Sequence, residues 1–161
     1  MIKIRRWSVV RRLHSIKLLI VDLDGTLTDG DYLYKRFDAK DGYGLKRLKI
    51  VKAVITGSKE STFTQRLKEL DFDYILTGIE NKKDEMLKII TDQGLKTKEI
   101  CYVGDDLNDI ECMTYEDVLG IAVHDAVKEI RKISKYVLRK NGGHGALREL
   151  TDMITGGIYE S

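Results

Sequence analysis

Apolar residues recur along this chain in two alternating rhythms. Unbroken runs such as Leu18-Leu19-Ile20-Val21, Ile50-Val51-Lys52-Ala53-Val54-Ile55, Ile100-Cys101-Tyr102-Val103 and Leu119-Gly120-Ile121-Ala122-Val123 are bounded by Gly, Asp or Thr. Such runs suit strands buried on both faces. They predict strands over 17–22, 50–56, 100–103 and 119–123, with shorter ones at 74–76 and 136–138. Between them the spacing becomes helical. Phe63, Leu67 and Leu70 form one stripe, with Ser58 placed to cap it. Asn81 is placed to cap a helix with Asp84 in its first turn and Met86, Leu87 and Ile90 on its buried face.

The remaining helices follow the same logic. Gly42-Tyr43-Gly44 precedes a short helix through Leu45 and Leu48, and another helix is expected over 108–115. Asp125 is placed to cap one carrying Val127, Ile130 and Ile133, and Gly142-Gly143-His144-Gly145 leads into a last one with Leu147, Leu150 and Ile154. Residues 31–38, with aromatics around a polar pair, read as a short hairpin or flap. Strands alternating with helices mean βαβ units, hence an α/β fold with a parallel sheet and helices on both faces. With no internal repeat or linker, residues 1–161 read as one domain, preceded within it by a basic segment over 1–16.

Composition narrows the classes. The chain is long enough, at 161 residues, for one domain with a real core. A net charge of +2 argues against a general nucleic-acid binder. No apolar run approaches a membrane span. Cys101 and Cys112 are too few for a disulfide framework, so reduced thiols in the cytoplasm are the expectation. Residues 1–17, with Lys3, Arg5, Arg6, Arg11, Arg12 and Lys17 and no acid, read as a solvated basic stretch running up to the first strand.

Candidate chemistry gathers where strands end. Asp22 and Asp24 follow the first strand, Thr56-Gly57-Ser58 the second, Asn81-Lys82 the third, and Gly104-Asp105-Asp106-Leu107-Asn108-Asp109 the fourth. In a parallel sheet these lie along one edge, where ligands of open α/β sheets bind. Acids and glycines there also serve as plain turn residues. Four clusters together make an oxygen-rich site suited to a hard cation such as Mg2+. A hydroxyl and an ammonium add the donors that a phosphoryl group needs.

These residues, in this order, resemble the four motifs of the haloacid dehalogenase superfamily of phosphohydrolases, over residues 17–153. The resemblance implies a Rossmann-like fold and roles for each residue. Asp22 is then the nucleophile that carries an aspartyl-phosphate, and Asp24 the general acid and base. Thr56, Gly57 and Lys82 hold the phosphoryl group. Asp105 binds Mg2+ with the Asp22 carboxylate and the Asp24 backbone carbonyl, and Asp106, Asn108 and Asp109 support that shell. The dehalogenase branch places no acid at the position of Asp24, so its presence favours phosphoryl chemistry. Residues 31–55 and 58–81 are filled by the sheet's own elements, which leaves no room for a cap domain.

Within the superfamily, Leu27-Thr28-Asp29-Gly30, Phe37, Lys40-Asp41-Gly42-Tyr43-Gly44, Val54-Ile55-Thr56-Gly57 and Gly142-Gly143-His144-Gly145-Ala146-Leu147-Arg148-Glu149 resemble the 3-deoxy-D-manno-octulosonate 8-phosphate phosphatase group and its nonulosonate 9-phosphate relatives. The implied substrate is a small phosphomonoester of a sugar acid, and the implied assembly is a homo-oligomer, a tetramer in that group. Two departures stand out. Ser58 and His144 occupy positions where the octulosonate enzymes carry Arg, the residue suited to clamping a carboxylate. The flap is also shorter. Another phosphomonoester, such as a nucleotide or simple sugar phosphate, and a non-catalytic regulatory or oligomerisation module are the alternatives.

Overall fold

The computed structural model describes residues 2–59 and 63–156. Six strands form one parallel sheet: β1 Leu18–Val21, β2 Val51–Ile55, β3 Tyr74–Leu76, β4 Ile100–Gly104, β5 Leu119–Ala122 and β6 Tyr136–Val137. Their spatial order is β3-β2-β1-β4-β5-β6. Each lies where the apolar runs predict it. The central strand β1 is buried at all four positions, because neighbours cover both its edges and helices cover its faces. Its register aligns Val21 with Val54 on one side and Val103 on the other. That alignment brings the three strand ends, and the polar residues after them, to a common edge.

Helices α1 Ile2–Leu13, α2 Ala39–Arg47, α3 Thr64–Glu69, α4 Lys82–Asp92, α5 Ile110–Met113, α6 Lys128–Ile133 and α7 Ala146–Thr155 complete the fold. The segments joining β1 to β2 and β2 to β3 hold only loops and single helices among the described residues. The basic first segment differs from a solvated stretch. It is helical, and Val9, Leu13 and Ile16 enter the core. Val9 and Leu13, four residues apart, share one face of the helix, and Ile16 follows just after it; Arg11 is exposed and Arg12 half-buried.

Other local expectations give way to longer-range contacts. Helix α2 starts earlier than Tyr43 because Asp38 caps it, accepting from the amides of Lys40 (2.7 Å) and Asp41 (3.2 Å). Gly44 then lies inside the helix, against α7, where a Cβ would overlap the Thr151 hydroxyl. The glycine permits close helix packing rather than a turn. Neither Ser58 nor Asp125 caps the helix that follows it. The Ser58 hydroxyl turns to Asp24, and Asp125 accepts from the Gly142 amide at 2.9 Å.

The expected helix over 108–115 divides into a tight turn at Leu107–Asp109 and the short α5. The flap over 31–38 is a loop closed by a single antiparallel bridge, Thr28 to Phe37, rather than a laddered hairpin. Aspartate side chains turn it instead of strand pairing. Asp31 accepts from the Leu33 and Tyr34 amides at 2.8 and 2.7 Å, and Asp29 from Asp31 at 3.1 Å.

Candidate active site

At the carboxyl edge of the sheet, β1 delivers Asp22 and β4 delivers Asp105. The Asp22 amide donates to the Val103 carbonyl at 3.0 Å, so the two strands stay paired up to the first acid. A turn follows in which the Thr28 amide reaches back to the Leu23 carbonyl at 2.9 Å. Asp24 keeps an extended backbone and Gly25 adopts φ +80°, so the chain reverses beside Asp22. The Gly142-Gly143 segment closes over this turn. A Cβ at Gly142 would overlap the Gly25 carbonyl, and the Gly143 amide donates to the Thr26 carbonyl at 3.1 Å.

Lys82 is the electrostatic centre. Helix α4 begins with it, and the preceding Asn81 caps that helix as expected, accepting from the Asp84 amide at 3.1 Å. The Lys82 Nζ donates to Asp22 Oδ1 at 2.6 Å and to Asp109 Oδ1 at 2.9 Å. All three side chains are buried. Burial alone pulls the lysine toward its neutral form, but the Asp22 and Asp109 carboxylates outweigh it and hold the ammonium above the usual lysine range.

Asp109 organises the other side. Its Oδ1 also accepts from the Tyr102 hydroxyl at 2.8 Å, and its Oδ2 accepts from the amides of Asp105 (3.0 Å) and Asp106 (3.3 Å). Both of its oxygens are therefore occupied. It fixes the turn that presents Asp105 and ties it to Lys82. Asp105 in turn accepts from the Thr26 hydroxyl at 3.0 Å.

One carboxylate oxygen from each of Asp22, Asp105 and Asp109 falls within 4.8 Å of the others. Three carboxylates thus face one ammonium, leaving two negative charges uncompensated. The titration directions express this strain. Burial, then the Asp109 charge, pushes the Asp22 carboxyl well above the usual range despite Lys82. Burial also pushes Asp105 up to about 6. An oxygen-only set with excess negative charge fits a hard divalent cation. Since Asp109 is fully engaged, Asp22 and Asp105 are the side chains left to hold one.

Asp24 stands apart from that cluster, half exposed, with its own partners. The Ser58 hydroxyl donates to one of its oxygens and the Lys35 ammonium to the other. Thr56, at the end of β2, is buried, and its hydroxyl accepts from the Ser58 amide at 3.1 Å. Gly57 lies between them, exposed. Asp106 caps the turn after β4, accepting from the Leu107 amide at 2.7 Å, while Asn108 faces solvent. The His144 ring is held by its own loop, with Nδ1 2.9 Å from the Gly142 carbonyl.

The structure thus joins Asp22, Lys82, Asp105 and Asp109 in one cluster and Asp24 with Ser58 in a second. Sequence reasoning gave no role to Lys35, Tyr102 or the Thr26 hydroxyl. Thr26 lies inside the first motif and carried a signal. Tyr102 sits in an apolar run and Lys35 in an irregular loop, and neither carried one.

A Rossmann-like parallel sheet in order β3-β2-β1-β4-β5-β6, with acids and a buried lysine at its carboxyl edge, is the architecture of a hydrolase of the haloacid dehalogenase type. The chain belongs to the haloacid dehalogenase-like hydrolases, whose family model matches residues 43–123. It is 34% identical over 159 residues to the 3-deoxy-D-manno-octulosonate 8-phosphate phosphatase of Escherichia coli (strain K12), covering 91% of this chain and 83% of that protein. The Moraxella catarrhalis phosphatase of the same name, solved with a magnesium ion, a phosphate ion and a KDO molecule, superposes with a TM-score of 0.88. It is 32% identical, over 92% of this chain and 91% of that one. The cobalt-bound Haemophilus influenzae phosphatase gives a TM-score of 0.85 at 29% identity, over 93% and 96% of the two chains.

Proposed function

We propose that this chain is a Mg2+-dependent phosphatase acting on a sugar-acid phosphate, of the type 3-deoxy-D-manno-octulosonate 8-phosphate. The observation that carries the reading is the Lys82 ammonium bridging Asp22 and Asp109 beside Asp105. It leaves a buried carboxylate aimed at a site of unbalanced negative charge, as a metal-assisted nucleophile requires.

Asp22 attacks phosphorus, and the bond to the leaving oxygen breaks as Asp24 supplies its proton. Water then attacks the phosphorus of the aspartyl-phosphate, Asp24 takes the water's proton, and Asp22 is released with phosphate. Splitting the hydrolysis this way replaces one hard step with two easier ones. Two Lys82 donors hold Asp22 and Asp109, and its third is available to a phosphoryl oxygen, joined by Thr56. A bound Mg2+, held by Asp22, Asp105 and the Asp24 carbonyl, would supply the charge screening that lets one anion approach another.

The assembly we propose is a homo-oligomer, a tetramer by analogy with the octulosonate group. Tyr32, Leu33 and Tyr34 at the loop tip are 92%, 76% and 74% exposed, and three adjacent large apolar side chains suit burial against another copy. Light scattering on the purified protein tests this. No described helix is long and apolar enough to cross a membrane. Cys101 and Cys112 are free and buried, which suits the reducing cytoplasm.

Phosphate release from a panel of phosphomonoesters, with and without Mg2+, tests the function. Selective metal-dependent turnover of the octulosonate or nonulosonate phosphate is the expected result. Broad turnover moves the substrate to another phosphomonoester. Metal binding without turnover of any member points to a regulatory module.

A further inference from the structure

We propose that Lys35 is a specificity-determining residue, the cation that meets the carboxylate of the sugar-acid substrate. This rests on the function proposed above. Lys35 comes from the loop after the first motif, yet its ammonium lies inside the cleft, paired with Asp24. Its side chain is only 17% exposed, and its Nζ lies over the Phe63 ring, 5.5 Å from the centroid. Among the described residues, the acids that end β1 have two paired lysines, Lys82 on Asp22 and Lys35 on Asp24. Lys82 is buried between two carboxylates and has no freedom to leave. Lys35 holds one partner, at the edge of solvent.

The geometry assigns it a direction. With phosphorus at Asp22, the leaving oxygen lies at Asp24, and the sugar extends outward from there. The first groups it meets are the Ser58 hydroxyl and the Lys35 ammonium. Both Asp24 oxygens are occupied, one by the Lys35 ammonium and one by the Ser58 hydroxyl, so the leaving oxygen displaces one of them, and the long-stemmed lysine is the partner that can swing away. A four-carbon stem with rotatable donors can swing outward along the sugar. A carboxylate on the sugar offers it a replacement ion pair; a sugar without one does not. The exchange also accounts for Ser58. With a short hydroxyl at the end of β2, Lys35 is, among the described residues, the ammonium paired with Asp24 at this part of the cleft. The loop is anchored for the purpose, through the Thr28–Phe37 bridge and the Asp29 amide on the Arg36 carbonyl at 3.3 Å.

The test is steady-state kinetics of the full chain with Mg2+, for wild type, Lys35→Met and Lys35→Arg. The two substrates are 3-deoxy-D-manno-octulosonate 8-phosphate and p-nitrophenyl phosphate, which lacks a carboxylate. Losing one charged hydrogen bond corresponds to roughly tenfold or more in KM. Lys35→Met is expected to raise KM for the sugar acid by about that factor beyond any change with p-nitrophenyl phosphate, and Lys35→Arg to recover most of it. Equal losses on both substrates, or none on either, would overturn the assignment. A wild type that turns over p-nitrophenyl phosphate but not the sugar acid overturns the substrate reading itself, and the role of Lys35 with it.

Discussion

The Lys82 ammonium stands 2.6 Å from the Asp22 carboxylate, across 60 residues of sequence, with both side chains buried. Such a pair is costly to assemble, and breaking it is costlier still, because the remaining charge stays in a poorly solvating interior. Lys82→Ala strands Asp22 and Asp109 together. It should lower stability by roughly 3–5 kcal/mol, read by urea unfolding, and reduce kcat by about 100-fold or more. A variant with near wild-type activity would show that Lys82 has no part in holding the phosphoryl group.

Asp109 is tied down by four hydrogen bonds, from Lys82, Tyr102 and two amides. Asp109→Ala should therefore cost roughly 3–5 kcal/mol. Tyr102→Phe removes one donor and should cost only about 2 kcal/mol. Thermal unfolding of both variants checks this ranking, and the reverse order would contradict the network.

Most of the sheet could be read from residues alone, because strands buried on both faces leave unbroken apolar runs. The first and last motifs could be read for a related reason: Asp22 and Asp105 follow such runs directly. What could not be read depends on partners distant in sequence. Ser58 and Asp125 look like helix caps, yet Asp24 and the Gly142 amide claim them. Gly44 looks like a turn, yet it admits α7. Lys35 lies in a loop without periodicity, and only the folded loop brings it to Asp24.

Metal binding should depend on pH. Burial raises Asp105 to about 6 and Asp22 in the same direction, so protons compete with a cation below that range. Added Mg2+ should raise Tm more at about pH 7.5 than at about pH 5. Asp105→Asn should abolish the increase. An equal Mg2+ effect at both pH values would place the cation elsewhere.

Asp41 gives a second pH dependence, away from the site. It is buried and accepts from the amides of Gly145 (3.3 Å) and Arg148 (2.7 Å) at the start of α7. Burial pushes its carboxyl from 3.8 up to about 6. The folded state thus binds the proton more tightly than the unfolded one. The contribution to stability is full below the unfolded value and is lost as pH rises through about 6. Relative to Asp41→Asn, the wild type should lose on the order of 3 kcal/mol between about pH 4 and 7. Urea unfolding across that range checks it, and parallel curves for the two proteins would contradict it.

The most direct test of the central claim is covalent. Wild type mixed with 3-deoxy-D-manno-octulosonate 8-phosphate and Mg2+, then quenched in acid within the first turnover, should carry phosphate on the peptide containing Asp22. Asp22→Asn should carry none and release none. Phosphate release by wild type with no covalent phosphate, or by Asp22→Asn at the wild-type rate, would contradict Asp22 as the nucleophile.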